Sequence, residues 1–127
     1  MTKIDDENEI QFRQVNPSWV ENDEPSRLVF MPTKKDEGKL SMDRSATTNA
    51  KDSFDNFKSL GLKSVGVYGL TPSEFQENPN PIQCFESPLA NNPHHSHADF
   101  DGLSNGQKKV KSQELRRKAI ARGKLHP

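Results

Sequence analysis

Apolar positions with helical and strand-like spacing follow one another most clearly over residues 49–75. Phe54, Phe57 and Leu60 recur at helical spacing, so their side chains would share one face of a helix. Gly61 follows them, at a position where a left-handed residue commonly ends a helix. The pattern therefore predicts a helix of about three turns that ends at this glycine.

A short apolar run and a second helix start come directly afterwards. Residues 65–70 are mostly apolar, which is typical of a strand covered on both faces. Thr71, Pro72 and Glu74 have the spacing of a capping box with proline at the first helical position. We therefore expect a helix, a buried strand and a second helix, and we expect this unit to form the centre of the fold.

Three strands are predicted before this unit. Residues 10–15, 27–31 and 39–44 carry apolar side chains in strand-like patterns, and the last of these segments alternates apolar and polar positions. The charged segment 33–38 contains a glycine and separates the second strand from the third, so these two strands are expected to form a hairpin. The single tryptophan, Trp19, is expected to anchor the core.

Two strands and a helix are predicted after the unit. Residues 82–85 and 97–100 are the candidate strands, and Cys84 is expected to be a half-buried strand residue rather than a reactive thiol. A basic helix is expected over about residues 107–122, ended by Gly123. This order of elements is typical of an α+β domain, in which a small mixed sheet of about five to six short strands packs with two to three helices.

Length and composition indicate one domain with a small core. Leu, Ile, Val and Phe make up 26 of the 127 residues, a level at which highly charged chains tend to stay unfolded, but the net charge here is zero. We therefore expect a flexible, disordered acidic N terminus over residues 1–9 and a single α+β domain over residues 10–127. With no secretory leader, no bilayer-length apolar stretch and one cysteine, a cytoplasmic location without membrane contact is expected.

The zero net charge conceals an uneven distribution. Residues 108–127 carry eight positive side chains against Glu114 alone, which gives about +7 there and about −7 over the rest of the chain. A helix of this charge could bind nucleic-acid phosphates without reading their sequence, contact an acidic-faced partner protein, clamp the chain's own acidic residues, or simply remain solvated. The candidate contact residues are Lys108, Lys109, Lys111, Arg116, Arg117, Lys118, Arg122 and Lys124.

Three short segments follow one another along the chain, namely Pro-Ser at 25–26, Leu-Ser-x-Asp-Arg at 40–44 and Ser-Val-Gly-Val at 64–67. This set resembles a group of small bacterial proteins of unknown function that have related segments in the same order. Those proteins usually have histidine at the position of Asn16 and serine at the position of Arg27. The resemblance implies a shared structural framework over most of the chain and brings no particular activity with it.

Histidine and aspartate are dense near the predicted last strand. If this segment is extended, His95, His97, Asp99 and Asp101 project from one face as a row of donors suited to zinc, manganese or iron. Alternate residues along a strand lie about 7 Å apart, so at most two neighbours could share an ion without help from elsewhere. We therefore expect a solvated histidine loop that runs into a strand. The alternative is a divalent-metal site at His95, His97 and Asp99.

Asp43 and Arg44 are the candidate catalytic pair. A carboxylate positions a metal ion or water while a cation holds phosphate oxygens, as in a nuclease or another phosphate-handling enzyme. The same charges would also be found on a solvated hairpin. The chain has no Gly-x-Ser-x-Gly turn, phosphate-binding glycine loop or His-Glu-x-x-His motif, and this disfavours the corresponding enzyme classes.

The sequence therefore predicts a non-catalytic interaction subunit of a bacterial cytoplasmic complex, for example of a toxin–antitoxin or phage-defence type. It would contact its partner through an exposed hairpin at residues 34–44 and through the basic helix. One alternative is a small metal-dependent hydrolase or nuclease that uses His95, His97 and Asp99 with Asp43. The other is a non-specific nucleic-acid-binding protein that uses the basic helix.

Overall fold

The computed structural model describes residues 2–126 and has the α+β architecture expected from the sequence. The strands are β1 (Thr2–Lys3), β2 (Gln11–Gln14), β3 (Val20–Glu21), β4 (Glu24–Pro25), β5 (Lys39–Arg44), β6 (Val67–Leu70), β7 (Cys84–Glu86) and β8 (His95–Asp99), and the helices are α1 (Ala50–Ser59), α2 (Pro72–Phe75) and α3 (Asn105–Arg122). Six strands form one sheet in the order β1-β7-β8-β5-β2-β6, and β3 pairs with β4 separately. Every pairing in the main sheet is antiparallel, so the sheet is not mixed.

The helix, strand and helix of the unit form as predicted, but the unit is not at the centre of the fold, because β6 is an edge strand of the main sheet. Helix α1 begins after Asn49, whose side chain accepts a hydrogen bond from the backbone amide of Asp52, and the chain leaves the helix at Gly61 with a φ of 82°. Helix α2 begins with the expected capping box, in which Thr71 and Glu74 each bond the other's backbone amide. Strand β6 lies between these two helices in the sequence, and all four of its residues are buried. The local caps and the burial therefore favour the same structure.

The hydrophobic core lies on one side of the sheet, which we call the core face. Leu40, Cys84 and Ala98 project to it from three neighbouring strands, and each is at most 1 % exposed. Helix α3 covers this face and buries Leu115 there, while Trp19 packs at the edge as a partly buried anchor. Because removal of apolar area from water is the main stabilising contribution, α3 is an integral part of the fold.

One predicted strand is wrong, and with it the predicted hairpin. Arg27–Phe30 is a turn of 3-10 helix that contacts α3 and buries Val29 and Phe30. Strand β5 pairs instead with β2 and β8, so it is a central strand. A run of adjacent apolar residues does not by itself separate a strand from a buried turn. The exposed hairpin expected over residues 34–44 is therefore not formed.

The N-terminal segment is paired, whereas the sequence predicted a flexible segment over residues 1–9. Thr2 and Lys3 form β1 against β7, and Ile4 is 2 % exposed within the core. Glu9 is also buried, and it bonds Arg44. The acidic composition concealed these contacts, which offset the entropy cost of ordering the segment.

Candidate functional site

The second side of the sheet, which we call the α1 face, carries helix α1 over strand β2. The strand register places Phe12 opposite Asp43, and Asp43 opposite His95, across three neighbouring strands. Successive side chains of a strand point to opposite faces, and Leu40 points to the core. Phe12, Asp43 and His95 therefore lie side by side on the α1 face.

Helix α1 is held on this face by a chain of hydrogen bonds. The Asp43 carboxylate accepts bonds from Ser53 Oγ and Asn92 Nδ2, both at 2.6 Å. Ser53 Oγ in turn accepts from Gln14 Nε2 at 2.9 Å, and Gln14 Oε1 accepts from Ser64 Oγ at 2.8 Å. Ser53 is the buried residue of α1. The helix thus docks through a hydroxyl group, and its predicted apolar stripe remains partly uncovered.

Between α1 and β8 this face forms a cavity of about 260 Å³, which we call the α1 pocket. Three leucines around it are prominent on the surface, because Leu60, Leu62 and Leu89 are 41 %, 48 % and 49 % exposed. The lining residues that matter most here are Phe12, Phe57, Leu60, Leu62, Leu89 and His95. Exposed apolar groups concentrated at one concave place are typical of a binding site.

His95 gives the pocket a polar group of defined chemistry. Its Nδ1 lies 3.0 Å from the backbone carbonyl oxygen of Ser87 and 2.9 Å from Ser87 Oγ. A carbonyl oxygen accepts hydrogen bonds and does not donate them, so Nδ1 carries the hydrogen and Nε2 of the neutral ring has a free lone pair. Burial lowers the pKa of His95 more than the Ser87 carbonyl and the Asp43 charge raise it, so the neutral ring dominates at pH 7. Among residues 2–126, Nε2 has no hydrogen-bond partner.

Two of the predicted metal ligands, His95 and His97, direct their Nδ1 atoms at one hydroxyl, Ser87 Oγ, at 2.9 Å each. His95, His97 and Asp99 are alternate residues of β8, which keeps neighbours about 7 Å apart. His97 is 2 % exposed, stacks on Phe85 and is bonded through Nδ1 to Ser87 Oγ at 2.9 Å. Within the described chain, no group of three or more His, Cys, Asp or Glu side chains is placed to hold a metal ion.

The candidate catalytic pair is separated by the alternation of β5. Asp43 is bonded within the α1 face, whereas Arg44 donates to both carboxylate oxygens of Glu9, at 2.8 and 2.9 Å. Arg44 also donates to Glu86 at 2.9 Å. Both residues are therefore committed to bonds that hold the sheet together, and they lie on opposite faces of β5.

Helix α3 uses part of its positive charge inside the protein. Lys111 is fully buried and donates to the backbone carbonyl of Glu77 at 2.9 Å, and burial lowers the pKa of its amine. Arg122 donates to the Gly69 carbonyl at 2.8 Å and to Glu74 Oε1 at 2.7 Å. These bonds attach the helix to the residues around β6 and α2.

Two further cations of α3 have internal partners. Arg116 donates to the carbonyl oxygen of Pro25 at 2.7 Å, and Lys118 lies 3.2 Å from Glu77 Oε1. Lys111, Arg116, Lys118 and Arg122 thus have partners within residues 2–126, whereas the side chains of the other four predicted contact residues make no ion pair or hydrogen bond there: Lys108, Lys109, Arg117 and Lys124. The basic helix is thus docked, and half of the predicted contact residues clamp the chain to itself.

A larger cavity of about 400 Å³ lies beside the β3–β4 hairpin. Its wall includes Tyr68, and it carries charges of both signs, from Asp23 and Glu24 on one hand and Lys124 on the other. Glu24 also lies 3.7 Å from Arg116. Because charged side chains of both signs border this cavity, the α1 pocket, with its exposed leucines, is the stronger candidate for an apolar ligand.

Sequence reasoning did not find the α1 pocket. Helical spacing predicts that Phe57 and Leu60 are buried, but Ser53 lies one turn before Phe57 on the same face and bonds the sheet instead. Ser53, a polar residue within the apolar stripe, was the one local sign that the stripe does not pack against the core. Leu89 and Asn92 pair across a tight turn, and their place beside α1 depends on long-range pairing that no local pattern encodes.

Comparisons of the chain with protein-family models, curated proteins and solved structures found no match. No helix within residues 2–126 is both long and apolar enough to cross a membrane. The protein is an α+β protein with an apolar pocket between a helix and an antiparallel sheet.

Proposed function

We propose that the protein is a non-catalytic interaction subunit of a bacterial cytoplasmic complex, and that it binds its partner through the α1 pocket. The observation that carries this proposal is the exposure of Leu60, Leu62 and Leu89 around one cavity. A partner that covers such side chains gains about 25 cal/mol for each Å² of apolar area removed from water. A toxin–antitoxin or phage-defence complex is one setting for such a subunit.

The polar groups near the pocket favour binding over chemistry. Each oxygen of the Asp43 carboxylate already accepts one bond, from Ser53 or from Asn92. A general base has to lie within hydrogen-bond reach of the group that it deprotonates. The groups within reach of Asp43 are Ser53 and Asn92, and these bonds attach α1 and the turn before β8 to the sheet. Mostly apolar walls with few polar groups are the usual composition of a recognition site.

The experiment compares pocket variants with a matched surface variant. Leu62→Ser and Leu89→Ser place a hydroxyl in the pocket rim, whereas Leu28→Ser changes a leucine of similar exposure, 42 %, outside the pocket. Native complexes are isolated with each tagged protein, and the stoichiometry is measured by native mass spectrometry. We expect one stoichiometric partner with the wild type and with Leu28→Ser. Each pocket variant should bind it about threefold to tenfold more weakly, because a partner can cover only the exposed half of these leucines, or about half of the roughly 1.5–3 kcal/mol that full burial contributes.

Two outcomes contradict the proposal. In one, the wild-type chain is recovered alone under conditions in which it is folded. In the other, all three variants retain the partner equally, which would place the contact surface away from the pocket.

A further inference from the structure

His95 lines the α1 pocket, and its Nε2 has no hydrogen-bond partner among residues 2–126. We propose that the pocket selects a partner's aromatic side chain that carries a hydrogen-bond donor, a tyrosine or a tryptophan, and that His95 Nε2 accepts the bond from its O–H or N–H group. This inference rests on the proposed function, and it names the group that is recognised.

The size and walls of the pocket suit one aromatic ring. An apolar cavity of about 150 Å³ holds benzene, and pockets for drug-sized ligands start at about 300 Å³. The α1 pocket, at about 260 Å³, lies between these values. Phe12 and Phe57 contribute aromatic surfaces to its lining, against which a ring packs edge to face or offset.

The acceptor is held in place before any ligand arrives. Two oxygens of Ser87 lie within 3.0 Å of His95 Nδ1, which fixes both the ring orientation and the position of the hydrogen. Little conformational freedom is then lost when Nε2 accepts a bond. Each oxygen of Asp43, which also lines the pocket, already accepts one bond, from Ser53 or from Asn92.

Selectivity follows from the cost of burying Nε2 without a partner. A ring that lacks a donor would remove the nitrogen from water and leave it unpaired, whereas a ring with an O–H or N–H group restores the bond. The difference for a neutral bond corresponds to about threefold to tenfold in affinity.

The test uses two matched probes on the ¹⁵N-labelled full chain. p-Cresol represents a tyrosine side chain, and 4-fluorotoluene has nearly the same shape without a donor. We expect both probes to shift the backbone amide signals of Leu60, Leu62 and Leu89, with p-cresol binding about threefold to tenfold more tightly. The side-chain ¹⁵N signal of His95 Nε2 in the wild type should move with p-cresol and stay in place with 4-fluorotoluene.

His95→Phe supplies the matched variant, since it keeps a ring and removes the acceptor. In this variant 4-fluorotoluene should still bind, and the advantage of p-cresol should disappear. Equal affinities of the two probes for the wild type, or an unmoved Nε2 signal with p-cresol bound, would overturn the inference and leave the proposed function standing. If neither probe shifts the pocket amides, the pocket does not take an aromatic ring and the inference fails, whereas the proposed function is still decided by the comparison of Leu62→Ser, Leu89→Ser and Leu28→Ser.

Discussion

Arg44 ties together residues from three distant parts of the chain. Its guanidinium donates two bonds to Glu9 and one to Glu86, and Glu9 also accepts a bond from Gln11 at 2.8 Å. The Glu9 side chain is 5 % exposed, so this is a buried ionic cluster with its carboxylate satisfied. Removing one member of such a cluster leaves a charge without its partner, which is costly in a poorly solvated place.

Glu9 makes the stability of the protein depend on pH. Burial raises the pKa of its carboxyl. The hydrogen bonds from Arg44 and Gln11 and the charge of Arg44 together lower it by more, so the pKa of Glu9 in the folded protein lies below its usual value. The folded state then binds fewer protons than the unfolded state near that pKa. The stabilisation is therefore complete above the unfolded pKa of about 4.3 and is lost as pH falls through the folded pKa.

We predict that Glu9→Gln lowers the free energy of unfolding by about 1–3 kcal/mol at pH 7. The difference from the wild type should shrink as pH falls below the unfolded pKa of about 4.3 and toward the lower pKa of folded Glu9. Urea unfolding at a series of pH values measures both effects. Glu7→Gln is the control, because Glu7 is exposed and should give no change of this size. A difference between Glu9→Gln and the wild type that is constant from pH 7 to pH 3 would contradict the assignment to this carboxylate.

Local sequence predicts residues that bond their near neighbours and fails for residues with distant partners. The cap at Asn49 and the capping box at Thr71 were predictable, because each bonds an amide three residues away. Lys111 was predicted on the surface, yet its amine reaches a carbonyl 34 residues away in the sequence. Cys84 is more deeply buried than expected, and burial raises the pKa of its thiol to about 12, which agrees with an unreactive cysteine.

Among the elements, α1 shows how a helix can be docked by polar contacts. Ser53 Oγ donates to Asp43 and accepts from Gln14, so one hydroxyl connects the helix to two strands. This arrangement leaves the outer leucines free to border the α1 pocket. The sequence predicted the existence and the ends of α1, but not its orientation, because periodicity alone assigned its apolar stripe to the core.

We predict that Ser53→Ala lowers the free energy of unfolding by about 1–3 kcal/mol, since it leaves Asp43 and Gln14 each short of one buried partner. Urea denaturation followed by circular dichroism measures the change. The matched control is Ser59→Ala in the same helix, because the exposed Ser59 hydroxyl bonds a carbonyl of its own helix. That variant should change stability by less than about 0.5 kcal/mol. Equal effects of the two substitutions would show that the helix is not held through Ser53.

Over the whole molecule, the docking of α3 decides how much of its charge is available. About seven excess positive charges lie near one end of the chain. In the structure, some of these side chains bond acidic residues or backbone carbonyls. Arg122 bonds Glu74 and Lys118 lies against Glu77, so the acidic and basic regions partly neutralise each other. Composition predicted the asymmetry, but the partners of these charges depend on how α3 packs against β6.

This internal pairing limits binding to nucleic acid. Each neutralised phosphate contributes about −0.9 to the slope of log affinity against log salt. The four side chains without internal partners therefore allow a slope no steeper than about −4, whereas eight free cations would give about −7. Fluorescence anisotropy with a labelled DNA duplex at several salt concentrations measures the slope, and lack of binding at about 50 mM salt would remove the nucleic-acid alternative.

Two variants identify which charges take part in any such binding. Lys109→Ala combined with Arg117→Ala removes two unpaired cations, so the slope should become shallower by about two units. Arg122→Gln removes a cation that already bonds Gly69 and Glu74, and it should leave the slope unchanged while lowering the stability of the fold. Arg122→Gln could instead make the slope shallower by as much per charge as the double variant does. In that case α3 leaves the sheet when it binds nucleic acid, and the docked helix is not the binding form.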